Sequence, residues 1–262
     1  MPQAEANGQR LFYEDTGGEG PPVAFSHGLF MDHTMFDPQV EHLRARYRCI
    51  RWDERGHGKT GDATEPFTYW DSANDLAALL QSLDVEGAVL AGMSQGGFLS
   101  LRAALAHPSL VRGLILIDTQ AGAENPDLMP YYQQLVERWL TQGMDDELAA
   151  IIEAILLGQG YTNAERWKSS WKQLNPENIQ QLFTALAERD DLSDRLGEIH
   201  VPTLIIHGDH DAAISVDRAE ALAAGLPDAQ LVLIEGAGHA SNLTHPDLVN
   251  PHIARFLEER MS

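Results

Sequence analysis

At 262 residues with 44% hydrophobic side chains, the chain can bury a full core, and no linker, internal repeat or low-complexity tract divides it. Its formal net charge of -21 argues against nucleic acid, which needs Lys and Arg to neutralise phosphates, and against anionic membrane surfaces. The lone cysteine, Cys49, leaves no intrachain disulfide, and no apolar run reaches membrane-spanning length.

Strands are expected at 10–15, 22–26 and 47–52, with the glycine-rich turn 17–21 between the first two. Helices at about 34–46 and 69–83 alternate with them. The run 88–93 then leads into Gly92-x-Ser94-x-Gly96 and a helical pattern ending at Pro108. Further apolar runs at 113–118, 202–207 and 230–234 lack polar faces, as expected for parallel strands covered on both sides. Between 118 and 202 the pattern is helical only. Tyr131, Leu135 and Trp139 form one ladder, and Tyr132, Val136 and Leu140 a second. Thr162 and Glu165 read as a capping box before Trp167 and Trp171, and Asn175-Pro176 opens another helix. Near the C-terminus, Pro251 is expected to interrupt the helix that starts at Pro246, with Asn250 capping a new one.

The order strand, Gly-x-Ser-x-Gly, helix is the context of a nucleophile elbow, which would expose Ser94 at the apex of a strained turn. A serine hydroxyl needs a base, and His239 follows the strand 230–234 in the loop 235–239, at the same sheet edge. An orienting carboxylate is available at Asp211, three residues past Gly208, with Asp209 and Asp118 as runners-up. The chain order Ser94, Asp211, His239 fits one particular fold. Backbone amides of Gln95, at a helix N-terminus, and of Leu29, after His27-Gly28, are the candidate oxyanion donors. His27 is read as a structural brace for that loop.

His27-Gly28, Asp53-Glu54-Arg55-Gly56-His57-Gly58, Gly92-Met93-Ser94-Gln95-Gly96-Gly97, Gly208-x-x-Asp211 and Gly236-x-Gly238-His239 occur in that order. Together they resemble the α/β-hydrolase fold family over nearly the whole chain, and within it small cytoplasmic esterases and 3-oxoadipate enol-lactonase-like enzymes. The alternation of strands and helices implies an α/β fold with a mostly parallel, doubly wound sheet, expected to be eight-stranded, with a core of residues 1–118 and 196–262 and the all-helical stretch 119–195 as a cap. In that family the Asp53 to Gly58 segment is a structural turn, and it receives no chemical role here.

The expected reaction is cleavage of a small ester or lactone through an acyl-enzyme, without metal or organic cofactor. Phe30, Met93, Trp139 and Trp167 are candidates for an apolar substrate wall. Such a wall would favour uncharged acyl groups unless Arg138, Arg166 or Lys168 turned inward. A carbon–carbon bond hydrolase or perhydrolase on the same triad, and a small-molecule receptor of the same fold, are the alternatives. The first residues, Met1 to Glu5, carry no charged, apolar leader, so a cytoplasmic protein is expected, as monomer or homodimer.

Overall fold

The computed structural model describes residues 2–158 and 160–261. The chain opens with β1 (Gln3–Ala6), β2 (Gln9–Asp15) and β3 (Pro22–Ser26), then α1 (Asp37–Leu43), β4 (Arg48–Trp52) and α2 (Tyr69–Ser82). There follow β5 (Ala88–Met93), α3 (Gln95–Ala106) and β6 (Val111–Ile117). Four helices precede the next strand: α4 (Met129–Gln142), α5 (Asp146–Leu156), α6 (Ala164–Trp171) and α7 (Pro176–Ala187). β7 (Thr203–Gly208), α8 (Val216–Gly225), β8 (Ala229–Ile234), the single turn α9 (Ser241–Thr244) and α10 (Pro246–Arg260) complete the chain.

The eight strands form one sheet in the order β1-β2-β4-β3-β5-β6-β7-β8, parallel from β4 to β8 and antiparallel at the β1 and β2 edge. Successive residues of a strand face opposite sides, so each central strand feeds two cores. Val89 and Ala91 of β5 pack with Val40 of α1 and Ile253 and Phe256 of α10. Leu90 between them packs with Leu76 and Leu80 of α2 and Leu99 of α3. Cys49 is buried in the first of these clusters, where desolvation pushes its thiol up to about 12.

Three local expectations change. β1 was not anticipated, although Asn7-Gly8 marks it: both residues have positive φ (49° and 76°), as a two-residue hairpin turn requires. The helix α10 runs unbroken through Pro251. Proline there lacks the N–H that would bond to the carbonyl of Asp247, a residue exposed to solvent. Asn250 is no cap: its side chain accepts from Gln39 Nε2 at 2.7 Å and donates to Pro38 O at 3.2 Å. At α6 the Thr162 and Glu165 pair forms no capping box. The helix begins one residue later, beyond Asn163, and Glu165 pairs with Lys168.

Candidate active site

Ser94 stands between β5 and α3 with φ 51° and ψ -114°, a conformation that costs energy in a residue with a Cβ and must be held by its surroundings. Its N–H donates to Ile117 O at 2.9 Å, and its carbonyl accepts from Thr119 Oγ1 at 2.8 Å. The flanking glycines make the bend possible. A Cβ on Gly92 would run into the carbonyl of Gly96, and one on Gly96 into the carbonyl of Ser26 on β3.

The loops after β7 and β8 bring Asp211 and His239 to the same edge. His239 Nε2 lies 3.0 Å from Ser94 Oγ, and His239 Nδ1 lies 2.8 Å from Asp211 Oδ2. With Nδ1–H donating to the carboxylate, Nε2 keeps a lone pair to accept the serine proton. The other oxygen of Asp211 accepts from the amides of Ala213 and Ile214 at 2.8 and 2.9 Å. Burial works against the Asp211 carboxylate, but the charge and hydrogen bond of His239 outweigh it and hold its pKa below the usual carboxylate value. Burial likewise opposes the His239 cation. The charge and hydrogen bond of Asp211 outweigh that, with help from Asp118 and Glu124, so its pKa is raised.

The two runners-up have other partners. Asp209 accepts from the Gly236 amide at 2.7 Å. Asp118, fully buried, accepts from the amides of Gly208 and Ser241, each at 2.8 Å, and so straps the acid loop to the segment after His239. Burial first, then the nearby Asp211, pushes its carboxyl up to about 7. Asp118, His207 and Asp211 bring possible ligand atoms within 4.8 Å of one another. The two carboxyl groups are already committed to backbone amides and, for Asp211, to His239, so this cluster serves the imidazole.

Gln95 is the first residue of α3, and Leu29 follows Gly28 in the turn after β3. His27 braces that turn: Nδ1–H donates to Gly28 O at 2.9 Å, and Nε2 accepts from the Glu54 amide at 3.1 Å. A cavity of about 740 Å³, counting the part open to solvent, begins at Ser94 and His239. Leu29, Phe30 and Trp139 are in its wall, and the Phe30 and Trp139 rings meet at 4.9 Å between centroids. Met93 belongs instead to a smaller recess of about 190 Å³ behind Ser94 and His239.

Trp167, expected as a substrate contact, lies in neither wall. The buried face of α6, made by Ala164, Trp167 and Trp171, turns into the core, and the guanidinium of Arg166 covers the Trp167 ring. On α4 the cavity face is Tyr132, Leu135, Val136 and Trp139, which takes residues from both ladders and leaves Tyr131 exposed. Glu124 in the wall was missed. It lies in an irregular segment before α4, with no periodicity to mark it, and pairs at 2.8 Å with the buried guanidinium of Arg189, beyond α7.

The profile of the alpha/beta hydrolase fold family matches residues 21–246. The AB hydrolase superfamily protein YisY of Bacillus subtilis is 33% identical, over 94% of each chain. The structure of a thermophilic esterase from Thermogutta terrifontis superposes with TM-score 0.88 at 30% identity, covering 97% of this chain and 95% of that one. The enol-lactonase of Burkholderia xenovorans superposes with TM-score 0.89 at 26% identity, covering 98% and 100%. An eight-stranded sheet of this order, with the serine turn between β5 and α3 and a profile match over most of the length, identifies the chain as a hydrolase-type member of the alpha/beta hydrolase fold family.

Proposed function

We propose that this protein is a serine hydrolase that cleaves small, uncharged carboxylic esters or lactones through an acyl-enzyme. The observation that carries the proposal is the unbroken chain Asp211, His239, Ser94 opening into an apolar cavity. In the first step His239 Nε2 takes the Ser94 proton as Oγ bonds to the substrate carbonyl carbon, and Asp211 stabilises the imidazolium that forms. The negative oxygen is met by the Leu29 and Gln95 amides; neither donates to another group among the described residues, and Gln95 adds the positive end of α3. His239 then gives its proton to the leaving alkoxide. Water repeats the sequence on the acyl group and frees Ser94.

The similarity to proteins described as an esterase and an enol-lactonase supports this reaction type. The cavity speaks for uncharged substrates. Arg138 is occupied by Asp145 and Glu147, Arg166 by Asp32, and Lys168 by Glu153 and Glu165; none of the three is in the cavity wall. Apart from His239, the titratable groups in the wall are Glu124 and Tyr132, whose phenol burial and Glu124 push up to about 12. An anionic acyl group would meet a carboxylate and apolar carbon.

Steady-state hydrolysis of p-nitrophenyl butyrate tests the proposal. Ser94→Ala should lower kcat by about 10⁶-fold with the fold intact, because nucleophile and base act as one unit. A carboxylate-bearing analogue should have at least about tenfold lower kcat/KM than the neutral ester, roughly 1.4 kcal/mol. Ser94→Ala retaining more than about 1% of the wild-type rate contradicts the mechanism.

A further inference from the structure

The segment Asp53-Glu54-Arg55-Gly56-His57-Gly58 has no part in the chemistry above, yet its imidazole reaches the turn that carries Leu29. That turn, from Gly28 to Met31, is closed by the Met31 N–H donating to Gly28 O at 3.1 Å. Its third residue, Phe30, has φ 60°, a backbone region that Gly or Asn occupies readily and an aromatic residue does not. Such a turn keeps one shape only when outside contacts over-determine it. Both peptide groups of Phe30 are held this way: its N–H donates to His57 Nε2 at 3.2 Å, and its carbonyl accepts from the Trp171 indole at 2.9 Å.

His57 is set up as an acceptor. Its Nδ1–H donates to Arg55 O at 3.0 Å, leaving the lone pair on Nε2, and burial lowers its pKa to about 3, so it stays neutral. The same Nε2 lies 3.5 Å from the side-chain nitrogen of Gln95, which donates to Glu54 at 2.6 Å. One imidazole thus touches both turns from which the oxyanion amides come.

We propose that His57 and Trp171 are positioning residues for the oxyanion hole, fixing Phe30 from its two sides and so aiming the Leu29 amide at Ser94. This role rests on the Leu29 amide being an oxyanion donor. Because Trp171 belongs to α6, the hole is complete only while the helical segment is seated on the turn.

The test compares kcat and KM for p-nitrophenyl butyrate, and inhibition by butylboronic acid, in wild type, His57→Leu, His57→Gln and Trp171→Phe, each well below its Tm. His57→Leu and Trp171→Phe should lose about 10- to 100-fold in kcat with KM within about threefold. Boronic acid affinity should fall by a similar factor, since its tetrahedral adduct occupies the hole. His57→Gln, whose side-chain oxygen can accept the Phe30 N–H, should recover most of kcat. A KM effect at unchanged kcat, an unchanged boronic acid affinity, or His57→Gln as impaired as His57→Leu would overturn the role. A wild-type protein that neither hydrolyses the ester nor binds the boronic acid would instead remove the serine-hydrolase reading, and this role with it.

Discussion

In the proposed mechanism His239 sets the pH at which the site can work. Only its neutral form accepts the Ser94 proton, and Asp211 raises its pKa above the ordinary histidine value of about 6.5. The rate should therefore be low at acid pH and climb through a single ionisation whose midpoint lies above that value. Asp211→Asn should cost about 10³- to 10⁴-fold in kcat and move the midpoint down, because the charge that favoured the cation is gone. A pH profile of kcat/KM with chemistry rate-limiting checks both, and an unmoved midpoint would remove Asp211 from contact with the base. Glu124→Gln keeps an acceptor for Arg189 but leaves its positive charge uncompensated beside the cavity. The kcat/KM of a carboxylate-bearing ester relative to its neutral counterpart should rise about tenfold or more, measured after the fold is confirmed. Ser94, Asp211 and His239 were readable because each follows an apolar strand in a glycine-marked turn, which places all three at one sheet edge. Glu124 was not, since its significance depends on Arg189, which folding brings in from the far end of the helical segment.

At the scale of elements, periodicity gave the helices of the segment between β6 and β7 but not their rotation. A tryptophan at i,i+4 spacing is equally suited to a core or to a cavity wall, and Trp139 and Trp167 took different fates. They make a paired prediction. Trp167→Ala should destabilise by about 3–5 kcal/mol in urea unfolding and leave the order of preference among acyl chains unchanged. Trp139→Ala should shift the preference toward longer or bulkier acyl groups, because it removes a ring from the wall. If the two variants exchanged these effects, the assignment of cavity and core faces would be wrong. The hairpin of β1 and β2 and the continuous α10 show the limits of breaker rules: Asn7-Gly8 marks a tight turn, whereas Pro251 does not end its helix.

For the whole molecule, the sheet could be anticipated because parallel strands need both faces covered, and the alternation of strand and helix supplies that cover. The seating of the helical segment could not. It depends on contacts between distant stretches: the Leu192 amide donating to Ala121 O at 3.0 Å, Arg102 of α3 paired with Asp190, and Arg189 with Glu124. The first and last tie together the two passages of chain that enter and leave the segment, and the Arg102 pair ties the leaving passage to α3, so the cavity has a defined roof above Ser94. Among the described residues no helix is long and apolar enough to cross a membrane. The chain's acidic surplus leaves the wall of the cavity almost untouched, with Glu124 its acidic group. Peptide mapping by mass spectrometry after treatment with an alkyl fluorophosphonate reports whether Ser94 is the nucleophile. Activity should be lost in step with a single adduct on the peptide containing Ser94, with no adduct in Ser94→Ala. Full inactivation with the adduct on another residue, or activity that persists once Ser94 is fully modified, would contradict it.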